Sequence, residues 1–212
     1  MDSHRELIEA EDNELRVVRA SSDSPLWLIS ICDLKSWVDF DAIDIYLRCL
    51  SVLQEKRPRR SQDCAFIPSI FTQIMEVHLS DLLTYGAGNH KDRQDIIKNA
   101  KLNEMLIELI EGRDRSKPLW KYKVLYIPLS ARGQHWFLAV VNTKKKDVSV
   151  GSKNWEKAWN SKTVSDRPGQ DNSDDCGVFM LKYIDFLSNM RKIDFTKEDI
   201  PKFRKTIAHD YL

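Results

Sequence analysis

Three short apolar runs in close succession, flanked by longer stretches of helical periodicity, constrain the fold of this chain more than any other feature. Val124-Leu125-Tyr126-Ile127-Pro128-Leu129 is closed by Pro and Ser, His135 to Asn142 is a second run, and Asp147 to Val150 a third. Runs of this length and composition read as strands, and Thr143-Lys144-Lys145-Lys146 between the last two reads as a hairpin turn. Upstream, Ala42, Ile43, Tyr46, Leu47, Leu50 and Leu53 recur at the spacing of an amphipathic helix over 40–54, with Asp39 or Asp41 placed to cap it. The helical pattern returns over 66–85 through Ile70, Phe71, Ile74, Val77 and Leu82. It breaks at Gly86-Ala87-Gly88-Asn89 and resumes over 92–110, with Gly112 at its end. Downstream, 151–168 is polar and irregular, Asp175 to Asn189 is an apolar helix, and a last helix covers 197–208 with Pro201 near its first turn. Helices, then strands, then helices predict an α+β domain.

The 212 residues are enough for one domain with a substantial core. Residues 1–24 are polar and without a clear period, which predicts a flexible N-terminal segment ahead of a domain over 25–212. The chain carries 33 Lys+Arg against 32 Asp+Glu, so bulk charge gives no reason to expect nucleic acid as a partner. The stretch Lys56 to Asp63, KRPRRSQD, resembles a basic import signal, but a solvated loop is the plainer reading. The apolar run Trp136 to Val141 is far shorter than the ~20 residues of a spanning helix, so no membrane is expected. The charged opening MDSHRELIEAEDNEL lacks the apolar stretch of a secretory signal. An intracellular protein, nuclear or cytoplasmic, with reduced thiols follows as the expectation. Cys32, Cys49, Cys64 and Cys176 include no CxxC pair, so no metal site is expected.

Cys32 and Cys49 sit among apolar residues and read as small core side chains. Cys176 does not, because its neighbours are Asp174, Asp175 and Gly177. It stands at the start of the predicted apolar helix, where unpaired amides and the helix dipole stabilise a thiolate. Gly177 beside it is expected to leave room for a substrate carbonyl. His135 opens a strand after a Gly-containing turn, at the rim of a sheet. A thiol at a helix start beside a His at a strand end is the arrangement that cysteine nucleophilic catalysis needs. Gln170, in the loop before Cys176, can loop back and donate to an oxyanion, a contact worth roughly 3 kcal/mol in comparable sites. Each of these residues, taken singly, also has an ordinary structural reading.

Together, Arg132-Gly133-Gln134-His135-Trp136-Phe137 and Pro168-Gly169-Gln170-Asp171-Asn172-Ser173-Asp174-Asp175-Cys176-Gly177 resemble the sentrin/SUMO-specific family of ubiquitin-like-protein proteases. In that family an HW motif opens a strand and a Q-x5-C-G motif opens the nucleophile's helix. Leu34 to Ile43 is similar to the family's WLND-x-x-I segment: Trp37 and Ile43 match, and Phe40 stands where the Asp usually is, flanked by Asp39 and Asp41. The resemblance covers roughly residues 25–205. It implies a papain-like fold with helices on a small mixed sheet, and a thiol protease acting after Gly-Gly in a SUMO-like modifier. Cys176 would be nucleophile, His135 base and Gln170 oxyanion donor, with no cofactor. Trp37 and Trp136 match the two tryptophans that form a narrow slot over the modifier's diglycine tail. Such a slot selects residues without side chains.

One element of the family pattern is absent. An Asp that orients the His normally follows it at the end of the partner strand, in a D-S-type motif, yet here the sequence reads Val148-Ser149-Val150-Gly151-Ser152-Lys153-Asn154. The interval from His135 to Cys176 is short for the family, which points to an internal deletion. If the hairpin turn is 143–146, His135 faces Asn154, or Ser152 after a one-residue slip. Asn154 is therefore a candidate replacement, since an amide can orient an imidazole. Asp147 lies at the far end of the hairpin, and Asp166 and Asp171 fall in loops. Two functional expectations follow: an enzyme, or a pseudoprotease that binds the modifier without efficient cleavage.

Overall fold

A computed structural model describes residues 31, 33, 35–56, 63–75, 100–112, 117–131, 135–145, 147–150, 160–163 and 168–210. The first long helix, α1 (Phe40–Lys56), starts where the sequence pattern places it. Asp39 is its cap: Oδ1 accepts the Ala42 N–H at 2.8 Å and the Asp39 carbonyl accepts the Ile43 N–H at 3.2 Å. Asp41 lies in the first turn, where the helix dipole favours a carboxylate. Ala42, Ile43, Tyr46, Leu47, Cys49 and Leu50 are buried, the stripe that a helical period dictates.

The chain then enters β1 (Cys64–Phe66), buried along its whole length. The sequence begins a helix at 66, and a three-residue strand in front of it is too short to show a period. Residues 70–75 are helical as expected; the remainder of that helix, and the expected helix over 92–99, fall outside the described residues. α2 (Ala100–Glu111) ends at Gly112, whose φ of 72° is the left-handed cap conformation. A Cβ there would stand 2.5 Å from the Lys117 carbonyl oxygen, so both the angle and the space require glycine.

β2 (Val124–Ala131), β3 (His135–Asn142) and β4 (Asp147–Val150) follow. Asn142 pairs with Asp147 and Ala139 with Val150, the register the predicted hairpin turn imposes. β5 (Asn160–Thr163) runs parallel to β4 in a stretch that reads as irregular in the sequence. Its residues, Asn-Ser-Lys-Thr, carry no apolar alternation, because an edge strand can be polar throughout. The sheet order is β1-β2-β3-β4-β5, parallel at both ends and antiparallel in the middle.

Period-two alternation divides the sheet's two faces. Val124, Tyr126, Trp136, Leu138 and Val140 join the larger core with α1 and with α3 (Cys176–Ser188). Leu125 and Ile127 join a smaller cluster with Ala65, Ile67, Leu119, Tyr122 and Leu109 of α2. The sheet is thus covered by helices on both faces, the α+β papain-like arrangement. α4 (Ile200–Asp210) is led in by a 3₁₀ turn with a capping box between Thr196 and Asp199. It packs on α3 around Phe195, whose ring lies 5.2 to 5.9 Å from those of Phe186, Tyr183, Phe203 and Phe179. Among the described residues no helix is long and apolar enough to cross a membrane.

Candidate active site

Cys176 is the first residue of α3 and is buried. Asp175 occupies the N-cap position but makes no side-chain cap hydrogen bond. The Trp136 backbone N–H donates to Cys176 Sγ at 3.4 Å, and the thiol reaches Ser173 O at 3.9 Å. A helix start and a backbone N–H therefore converge on one sulfur. The same contact docks the His135 end of β3 onto the nucleophile's helix, joining the two motifs that lie far apart in sequence.

Gly177 permits this docking. It is buried, and a Cβ on it would lie 2.7 Å from Val38 Cβ, 3.0 Å from Val38 Cγ2 and 3.1 Å from Trp136 Cδ1. The absent side chain is what lets α3 approach the Trp136 strand and the Val38 segment at once. Gly177→Ala should cost about 1–3 kcal/mol by overpacking and slow iodoacetamide alkylation of Cys176, because Trp136 must retreat. The urea midpoint and the alkylation rate of the folded variant measure the two effects.

His135 is half-buried at the start of β3, its ring edge-on to Phe137 with centroids 4.4 Å apart. Its Nδ1 lies 3.4 Å from Gln170 Nε2. Burial holds the imidazole below its ordinary pKa, so the neutral, proton-accepting form dominates at neutral pH. Among the described residues, no hydrogen bond joins the imidazole to the thiol, and no carboxylate is bonded to the imidazole. Gln170 lines the same place from the loop before α3; its Oε1 is buried and has no partner among the described residues. A buried amide oxygen left without a partner carries a desolvation cost. Asn154, Ser152 and Asp166 lie outside the described residues. Asp147 pairs with Asn142, at the opposite end of β3 from His135. Asp171 is engaged by Lys197, whose Nζ is 2.6 Å from its carboxylate.

Trp37 and Trp136 are brought together, but as a stack: centroids 5.1 Å apart with planes 12° from parallel. The two apolar faces bury each other instead of standing apart as walls. A peptide between them would need two van der Waals contacts, about 7–8 Å in all. Trp136 is almost wholly buried and its Nε1 donates to Val38 O at 2.7 Å, whereas Trp37 is part-exposed. Phe40 stands edge-on to both, at 5.9 Å from Trp37 and 4.8 Å from Trp136. Sequence reading missed the roles of Val38 and Phe40, which no local pattern distinguishes from core residues. It also passed over Asn172, whose Oδ1 accepts the Asp174 and Asp175 N–H groups at 3.2 and 3.1 Å; the polar run Asp171-Asn172-Ser173 carries that turn signal. Among the described residues no cluster of His, Cys, Asp and Glu is disposed to hold a metal ion.

The model of the Ulp1 protease family, C-terminal catalytic domain, matches residues 36–151 and 151–212. This chain belongs to that family. The two matched stretches meet at Gly151. Among relatives, ubiquitin-like-specific protease ESD4 of Arabidopsis thaliana is 25% identical over 204 residues, covering 84% of this chain and 37% of the relative. Ubiquitin-like-specific protease 1A of the same plant is 26% identical over 224 residues, covering 98% of this chain and 43% of the relative. The chain thus spans less than half the length of these two family members. The SUMO protease Ulp1 with its catalytic cysteine oxidised to a sulfinic acid shares the fold, with a TM-score of 0.62 at 15% identity over 96% of this chain and 94% of that one. The C-terminal Ulp1 protease domain in complex with SMT3, the yeast ortholog of SUMO, gives a TM-score of 0.56 at 16% identity, again over 96% and 94% of the two chains.

Proposed function

We propose that the chain is a thiol isopeptidase or processing peptidase that cleaves after the Gly-Gly of a SUMO-like modifier. The observation that carries this reading is the contact of Cys176 Sγ with the Trp136 amide, which sets a helix-start thiol beside the strand-start His135. In the reaction, His135 accepts the Cys176 proton as the sulfur attacks the terminal glycine carbonyl. Gln170 Nε2 donates to the developing oxyanion. Collapse expels the amine, which takes the proton from His135, and leaves a thioester. Water, activated by the now neutral His135, hydrolyses that thioester and regenerates the thiol. Tail binding places the diglycine against Trp37, the more exposed of the stacked pair, which must move off Trp136 if the tail is to pass between them.

Modifier binding without efficient cleavage is the second reading. It is favoured by the missing D-S motif and by the lack of a bonded carboxylate at His135 among the described residues. Release of fluorophore from a SUMO C-terminal conjugate separates the two readings: turnover above the uncatalysed rate supports the first, and binding without turnover the second. Under either reading Trp37→Ala should weaken modifier affinity about tenfold by calorimetry, as loss of an aromatic anchor does. Trp136→Ala is a poor test of the slot, because removing so buried an indole should cost about 3–5 kcal/mol of stability. Unchanged affinity of Trp37→Ala would remove the tryptophan contact from the model of binding.

A further inference from the structure

Arg204, in α4, has no exposed side-chain surface. A buried guanidinium persists only when its donors are matched. Its partners come from two segments distant in sequence. From the chain before Trp37, Nη1 donates to Ile31 O at 3.2 Å and Asp33 O at 2.9 Å, and Nη2 donates to Ser36 O at 3.1 Å. From the loop before Cys176, Nη2 donates to Asp174 O at 2.9 Å and Nε to Asp175 Oδ1 at 3.0 Å. One planar fork thereby ties the residue directly before Trp37 to the two residues directly before Cys176.

The fork also changes what Asp175 does. A carboxylate at an N-cap ordinarily accepts the first amides of its helix. Asp175 makes no such bond: Oδ1 is on Arg204, and Oδ2 accepts Asn172 Nδ2 at 2.7 Å. The carboxylate is held back from the amides beside Cys176, and its charge is balanced by the Arg204 guanidinium.

We propose that Arg204 is a positioning residue that fixes the Trp37 segment and the Cys176 loop relative to each other and keeps Asp175 from capping the nucleophile's helix. The proposal rests on the protease reading for its catalytic consequence, but the clamp itself can be read without turnover. Two variants of the full chain test it. Arg204→Lys keeps the charge and cannot span the fork. Asp175→Glu keeps Arg204 and both charges while lengthening one arm by a methylene. After circular dichroism shows which variants are folded, three quantities are measured: alkylation of Cys176 by iodoacetamide, calorimetric affinity for a SUMO ending in Gly-Gly, and turnover per titrated active site. Alkylation and per-site turnover should fall about tenfold or more in both variants, since an ångström of misplacement has effects of that order, and affinity should weaken several-fold in Arg204→Lys. If Arg204→Lys fails to fold, Asp175→Glu decides. Folded variants that match the parent within about twofold on all three quantities, or that lose only urea resistance, would overturn the proposal and leave Arg204 a purely stabilising residue. A parent chain with no turnover would sink the protease reading alone, because alkylation and affinity still report on the clamp.

Discussion

Cys176→Ser should abolish covalent capture by a SUMO probe carrying a C-terminal electrophile and lower any turnover by at least about 10³-fold, because the nucleophile and the rest of its unit act together. The expectation is specific to this cysteine for physical reasons. Of the other described cysteines, Cys49 and Cys64 are both buried in the core and neither begins a helix. Burial pushes the Cys64 thiol up to about 12, so at neutral pH it holds its proton, and its S–H is taken up by Gln54 Oε1 at 3.2 Å. Cys176 instead has the Trp136 amide on its sulfur and begins α3. Mass spectrometry of the labelled chain reads the site directly. Capture of Cys176→Ser at the parent's level would mean that another thiol is the nucleophile and that the whole arrangement around α3 has been misassigned.

The parts of this molecule that were legible in the sequence are those where one physical requirement repeats over many residues. α1 announces itself because burial demands Ala42, Ile43, Tyr46 and Leu47 on one side, and Asp39 stands at its mouth. The β3–β4 hairpin is legible because an apolar run needs a polar turn to reverse, and the turn then fixes the register. β1 and β5 were not legible: one has three residues, and the other is polar, so neither shows alternation. The candidate site divides in the same way. Cys176, His135 and Gln170 are visible through the motifs that carry them. The contacts that assemble them are long-range, as between Trp136 and Val38, or between Arg204 and the segments on either side of it, and no local spacing encodes such pairs. Gly177 is the instructive case, since the residue type was legible while its reason was not. Its missing side chain accommodates Val38 and Trp136, and this appears only when the helix and the strand are seen together.

Restoring an Asp-bearing segment between Gly151 and Asn160 should raise the turnover of this chain by at least about a hundredfold. Cleavage passes through an imidazolium at His135, and burial already disfavours that charged form. No carboxylate among the described residues offsets the penalty, and Gln170 Nε2, the neighbour of Nδ1, is an amide that donates. An unanchored ring also samples unproductive tautomers and orientations. In a serine triad the loss of the orienting acid costs about 10⁴ in kcat. A cysteine enzyme should lose less, because a thiol is intrinsically more acidic than a serine hydroxyl and needs less help from its base. A hundredfold is accordingly the lower bound. The carboxylate should also raise the His135 pKa, since it stabilises the imidazolium, and NMR titration of the ring should show that shift upward. If Asn154 already orients His135, then Asn154→Ala should lower the residual rate of the parent while Asp166→Ala leaves it unchanged. Single-turnover cleavage of a SUMO–fluorophore conjugate compares the chains on the chemical step. A restored chain within a few-fold of the parent would show that the acid is dispensable here.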